Sequence, residues 1–290
     1  KDGQGKVLLD ETGKPSLSNL YDAIAKDVLT RIPEQRDNTI VVASTHKDRH
    51  EIDQRIRQGL IHDDKIKNEV NATRLMSKNI DQADMLHAKN YEIGDILRFE
   101  KGYSVAKKGD HMQVIGIDEN QNKLNVKNIG DGNNYSINPA SIALKADMSV
   151  YKELEVKLGI GDRIRLRQSD PKRGWVGGAE YKVSAIEDGK AFLSHSNAKD
   201  NAQNHDLTIN LTDKKDQLWD YAYTNTTYSV QGATSKYFIG LADENYRSMY
   251  IQLTRASQQA TIYTANKTKL LNGLEDAKRQ LQADKLSAYE

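Results

Sequence analysis

Cysteine is absent from the 290 residues, which excludes disulfides and thiolate metal sites and fits a reducing, cytoplasmic setting. No stretch is apolar for long enough to span a bilayer, so no transmembrane helix is expected. Residues Lys1 to Lys6 lack an apolar h-region, and no secretory leader is expected from them. An excess of one charge sign is missing too. The 42 Lys and Arg nearly balance 41 Asp and Glu, for a net charge of +1. A surface built to coat a polyanion is therefore ruled out, and any grip on nucleic acid must come from a local basic strip. What is present is 37% hydrophobic and 29% charged residues, the composition of a soluble α/β or α+β protein with a modest core.

Three stretches follow different patterns. Leu17, Leu20, Tyr21, Ile24, Val28, Leu29 and Ile32 recur at helical spacing, predicting a helix with Ser16 as N-cap and Pro33 as its end. Thr39 to Ser44 forms a continuous apolar run, as in a strand covered on both faces. A polar helix is expected over Asp48 to Leu60. From Tyr91 onward the pattern becomes short alternating strands separated by Gly, Asn and Asp turns. Here Ile93-Gly94-Asp95-Ile96-Leu97-Arg98-Phe99 recurs, 67 residues on, as Ile160-Gly161-Asp162-Arg163-Ile164-Arg165-Leu166. Two successive small β-barrels account for such a repeat. From about Trp219 the α/β pattern returns: strands over Leu218–Thr224 and Tyr237–Leu241, a helix over Tyr246–Ala256, a strand over Ala260–Thr264, and a charged helix from Lys267 to Ala288.

The residues that carry chemistry cluster late in the chain. Thr226-Thr227-Tyr228-Ser229-Val230-Gln231-Gly232-Ala233-Thr234 is followed by Tyr250-Ile251-Gln252-Leu253-Thr254-Arg255-Ala256. This pair resembles motifs V and VI of superfamily 1 helicases. Ser44-Thr45-His46 and the helix after it look like motif IV. The segment from Gly161 to Asp170, with Gly174-Trp175-Val176-Gly177-Gly178, resembles the barrel inserted in RecD-like helicases. In order and spacing, Leu17 to Thr264 looks most like the helicase region of TraI/TrwC-type conjugative relaxases.

That resemblance implies roles for individual residues. Arg255 would stabilise the γ-phosphate of ATP, a task suited to a planar, permanently charged guanidinium and worth roughly a thousandfold in rate. The plain alternative is a surface arginine in an ion pair. Gly232, Thr234 and Thr254 would stand near the nucleotide. Thr45, His46, Thr226, Tyr228 and Gln231 would touch DNA, Gly232 allowing close backbone approach. Tyr228 and Ser229 occupy positions where the motif usually has His and Lys, and Thr234 stands where many relatives have Glu. A phosphate-pairing charge is thereby lost, while Tyr228 gains a face that can stack on a base. Arg163, Arg165 and Arg167, with Lys172, Arg173 and Trp175, compose either a single-strand contact surface or an ordinary strand with a barrel-plugging Trp.

Other signals point away from self-sufficient catalysis. No G-x-x-x-x-G-K-[ST] loop occurs, so the chain is not expected to hydrolyse ATP by itself. Val7-Leu8-Leu9-Asp10-Glu11 imitates a Walker B strand, but nothing before it supplies the phosphate loop. His46 and His50 share a helix face, yet Lys47 stands in the place of the glutamate of H-E-x-x-H, and no metal site is expected.

The expected fold is α/β: a RecA-like parallel-sheet lobe interrupted by an insertion of two small antiparallel, SH3-like β-barrels. Residues 1–15 read as an edge or linker. The lobe takes 16–88 and 217–266, the first barrel 89–150, the second 151–216, and a terminal helix 267–290. The resemblance implies single-stranded DNA as partner and a first motor lobe elsewhere in the same protein. ATP and Mg²⁺ would bind in that full-length protein only, with none expected on this chain. A rival expectation is a translocation signal that recruits the relaxase to a type IV secretion coupling protein. Cytoplasmic location in a donor bacterium, with transfer to the recipient on the rival reading, completes the set.

Overall fold

The computed structural model describes residues 17–143, 148–195, 207–227, 229–230, 234–242, 245–254 and 256–287. The chain divides into two compact units, Lys1–Lys67 with Tyr221–Glu290, and Asn68–Asp220.

The discontinuous unit begins with α1 (Ser18–Thr30), α2 (Pro33–Asp37), β1 (Thr39–Val42) and α3 (His46–His62). Ser16, the expected N-cap, lies outside the described residues; Leu17 holds the cap position without a side-chain bond. Pro33 ends the first helix as its fixed φ requires. It also opens α2 at the first helical position, where a missing N–H removes no hydrogen bond. Tyr21, Ile24, Ala25 and Val28 of α1 are buried, as are Ile52, Ile56 and Leu60 of α3. The two helices approach closely at Gly59, where a Cβ would lie 2.2 Å from Leu29 Cδ1. Any larger residue there would push α1 and α3 apart.

The antiparallel unit contains β2 (Lys67–Ser77), β3 (Ile96–Phe99), β4 (His111–Asp118), β5 (Lys123–Asn128), β6 (Asn134–Ile137), α4 (Pro139–Ala143), β7 (Met148–Ile160), β8 (Arg163–Leu166), β9 (Glu180–Glu187), β10 (Lys190–His195), β11 (Leu207–Asn210) and β12 (Trp219–Tyr221). They make a six-stranded sheet in the order β2-β7-β3-β4-β5-β6 and a five-stranded sheet in the order β11-β10-β9-β8-β12. Among the described residues each order runs from one edge to the other. Two open sheets thus stand where closed barrels were expected. Strand period and turn residues specify antiparallel pairing, but closure depends on how far the edges curl together, which local pattern does not encode.

The internal repeat is real in three dimensions. Gly94 and Gly161 both adopt φ +99°, a conformation that strains any residue with a Cβ. Gly94 donates to Val114 O and Gly161 to Val183 O, each at 2.8 Å, while Val114 and Val183 return N–H bonds to Asp95 O and Asp162 O at 2.8 Å. Each aspartate then caps its own turn: Asp95 accepts from the Glu92 N–H and Asp162 from the Gly159 N–H. Asp95 and Asp162 are almost fully enclosed. The same turn therefore launches β3 in one sheet and β8 in the other.

The chain returns to the first unit with β13 (Ser235–Leu241), α5 (Tyr246–Leu253), β14 (Ala256–Tyr263) and α6 (Lys267–Ser287). β1, β13 and β14 form a parallel sheet in that order, with Thr39 opposite Tyr237 and Leu241 opposite Tyr263. The segment through Asn225 adds to the far side of β1, giving N–H to Val41 O and accepting from Ala43 N–H. Val41, Val42, Ala43, Phe238, Ile239 and Leu241 are all buried. Consecutive burial of this kind means both faces of the strands are covered. The last strand starts earlier than its hydropathy predicts, at Ala256, because the Ser235–Ala256 pairing extends it through polar residues.

Candidate nucleic-acid interface

The parallel sheet sorts the predicted site residues to its two ends. At the carboxyl end of β1 the chain leaves the core at Ser44, Thr45 and His46, all exposed. Thr45 caps α3. Its hydroxyl accepts the Asp48 N–H at 3.0 Å and donates to the Asp48 carboxylate at 2.6 Å. The other oxygen of Asp48 accepts the Tyr21 hydroxyl. Burial, with Asp48 beside it, pushes the Tyr21 phenol well above its ordinary pKa, so it stays a donor. The Thr45-His46-Lys47-Asp48 spacing is a capping box with Asp in the acidic position. His46 Nδ1 lies 2.6 Å from an Arg49 guanidinium nitrogen.

Beside this corner sits the turn that follows Asn225. The Thr226 N–H donates to Ser229 Oγ and the Ser229 N–H donates to Thr226 Oγ1, both at 3.0 Å. Ser229, which stands where the helicase motif has Lys, here closes a reciprocal cap. Ser44 Oγ and Thr227 Oγ1 are 3.5 Å apart, so residues 183 positions distant in sequence make one hydroxyl-rich corner. Ligands of open α/β sheets bind outside the carboxyl ends of strands, and this corner occupies that place. Replacing Ser229 with alanine should lower stability by ~1 kcal/mol, the usual worth of a cap. Thermal unfolding together with amide exchange at Thr226 checks this; unchanged exchange would refute the cap.

At the opposite, amino end of the same strands stand Thr234, just before β13, and Thr254, just before β14, both exposed. Asn38 O accepts from the Tyr237 N–H there. At ~3.3 Å of rise per residue, the six residues from Asn38 to Ser44 separate the two ends by roughly 20 Å. Residues expected to meet DNA and residues expected to meet nucleotide thus fall at different ends. Tyr228, Gln231, Gly232 and Arg255 lie outside the described residues, as do Val7–Glu11.

The basic cluster of the five-stranded sheet is already neutralised. Arg163 and Arg165 both reach Glu180 across the β8–β9 pair. Arg167 pairs with Asp220 at 3.3 Å. Arg173 makes a bidentate pair with Asp216, which is only 2% exposed, and its guanidinium lies 3.8 Å from the Trp175 ring centroid. Trp175 itself is 3% exposed. Of the two readings the sequence allowed, the packed one describes Trp175: its ring is core, covered by Arg173, and offers no open face to a base. Lys172, on the neighbouring turn, is exposed. Among the described residues no cluster of His, Cys, Asp and Glu is arranged to hold a metal ion, and no helix is long and apolar enough to cross a membrane.

Sequence reasoning missed four residues of the site. Asp48 was legible in the capping-box spacing. Ser44 with Thr227, and Ser229 as a cap, depend on long-range pairing that local pattern cannot show.

A mixed α/β chain with parallel and antiparallel sheets, bearing motifs IV, V and VI in helicase order, defines the class. The particular likeness is to "Multifunctional conjugation protein TraI" of Escherichia coli strain K12, 25% identical over 290 residues, 95% of this chain and 16% of that protein. A second TraI from Escherichia coli is 25% identical over 287 residues, 94% of this chain and 15% of its length. The resemblance to TraI-type conjugation proteins therefore runs through nearly the whole chain, which spans about a sixth of those relatives. No protein-family model matches. Among solved structures, Pif1 helicases at forked double-stranded DNA align at 12% identity with a TM-score of 0.39, covering 91% of this chain and 52% of that one. Unliganded Pif1 from Bacteroides sp aligns at 12% with a TM-score of 0.34, covering 91% and 53%.

Proposed function

We propose that this chain supplies the second, RecA-like motor lobe of an ATP-dependent DNA helicase or translocase of bacterial conjugation, with the antiparallel unit as its insertion. The observation that carries the reading is the hydroxyl corner: Ser44, Thr45 and Thr227 come together at the carboxyl ends of parallel strands, where a single DNA strand would cross. Hydroxyls and backbone N–H groups are sequence-neutral partners for phosphate oxygens. Motif VI would place Arg255 toward the γ-phosphate of ATP held, with Mg²⁺, by a first lobe in the same protein. The chain's similarity to TraI supports the conjugation setting.

A titration of labelled single-stranded oligonucleotide, read by anisotropy at two salt concentrations, tests this. Binding should weaken with salt. The Ser44→Ala, Thr227→Val double variant should weaken it about fivefold, as the loss of one or two modest hydrogen bonds implies. An intact chain without measurable affinity, or a double variant binding as tightly as the parent, would refute the assignment of this corner to DNA.

A further inference from the structure

Helix α3 buries two stripes of opposite character. Ile52, Ile56 and Leu60, at i, i+4 and i+8, are apolar. Arg49, Asp53 and Arg57 repeat the same spacing one position out of phase and are equally enclosed, at 7%, 8% and 6% exposure. The second stripe meets the strand that runs from Tyr221 into the Thr226 turn. The Arg57 guanidinium lies 5.2 Å from the Tyr221 ring centroid. The Thr224 hydroxyl, 1% exposed, donates to Asp53 at 2.7 Å. Immediately beyond, Asn225 bonds to both Val41 and Ala43 of the β1 segment.

Stability alone does not account for a buried charged stripe, because well-packed apolar residues of similar volume commonly do as well or better. What such a stripe adds is register. Side chains alternate along a strand, so a slip of one residue would turn Thr224 away from Asp53 and leave both groups buried without each other. The apolar neighbours Ala222 and Tyr223 offer no hydroxyl in the right phase to replace it, Tyr223 being too long. Only one placement of this strand satisfies the helix.

We propose that Asp53, acting through Thr224, is a positioning residue for the Thr226–Ser229 turn. It fixes how far the turn projects beyond the carboxyl end of β1 and so where its hydroxyls stand beside Ser44. The consequence for DNA rests on the function proposed above, whereas the positioning itself does not.

The test is carried out on the whole 290-residue chain. Thr224→Val removes the hydroxyl at nearly constant shape, and Thr224→Ser keeps it while removing the methyl. Amide hydrogen exchange is followed at Asn225, Thr226 and Ser229, and at Ile52 and Ile56 as an internal reference, alongside oligonucleotide anisotropy. With Thr224→Val, exchange at the three turn amides should quicken about tenfold, the reference amides should not, and oligonucleotide affinity should fall several-fold. Thr224→Ser should retain parental values in both measurements. Equal quickening at the turn and the reference amides, or the same damage from Thr224→Ser as from Thr224→Val, would reduce the contact to ordinary packing and overturn the proposal. If turn exchange quickens selectively in a chain with no oligonucleotide affinity, positioning stands and the DNA reading falls.

Discussion

Replacing Trp175 with alanine is expected to destabilise the antiparallel unit by about 3–5 kcal/mol, the range for removing a large buried aromatic side chain. The ring is 3% exposed and carries the Arg173 guanidinium on its face. Its backbone exchanges hydrogen bonds with Asp170 in both directions. Removing the indole therefore opens a cavity under a cation that is itself tied to Asp216, Thr208 O and, through Asp216, to the Asn210 N–H. Urea unfolding should show a lower midpoint with little change in slope. Oligonucleotide affinity, measured well below that midpoint, should stay near the parental value. A large loss of affinity with unchanged stability would show instead that the ring meets DNA.

Acid should weaken the same unit through one histidine. His111 begins β4, is 2% exposed, and lies opposite Arg98 on β3. Burial, reinforced by the positive charges of Arg98 and Lys215, lowers its pKa to about 4. Asp213 pulls in the other direction without reversing the shift. An unfolded histidine binds its proton near pH 6.5. Between those two values the unfolded chain holds more protons than the folded one, so stability falls as pH drops from about 6.5 toward 4. A difference of ~2.5 pH units corresponds to about 3 kcal/mol, all of it present above pH 7. Unfolding free energies at pH 7 and pH 4.5 should therefore differ less in His111→Gln than in the parent. Equal differences in the two proteins would refute the role of His111. Carboxylates such as Asp216 also titrate at the acid end, which is why the comparison with the variant matters.

The sequence made different parts of this molecule legible for identifiable reasons. The Gly94-Asp95 and Gly161-Asp162 turns could be read in advance because their conformation admits glycine and their capping needs a carboxylate at a fixed offset. The strand over Thr39–Val42 and the helix after it announced themselves by apolar run and periodicity. The second buried stripe of α3 did not: Arg49, Asp53 and Arg57 look like a solvated face until the strand carrying Thr224 covers them. Arg163, Arg165, Arg173 and Trp175 read equally well as a nucleic-acid surface, since their acidic partners Glu180 and Asp216 are brought to them from 15 and 43 residues away. Composition names the charges, but only the fold says which are already paired.

The pairing of β1 with β13 also sets a timetable for synthesis. Thr39 lies opposite Tyr237, so the ribosome must add nearly two hundred residues after the first strand before its neighbour exists. At ~5–20 residues per second that wait lasts about 10–40 s. During it the Thr39–Val42 segment has only local helices to shelter it, while Asn68–Asp220 can complete every strand pair of its own. The inserted unit thus becomes the first body to fold on the nascent chain, and the parallel sheet closes around it last.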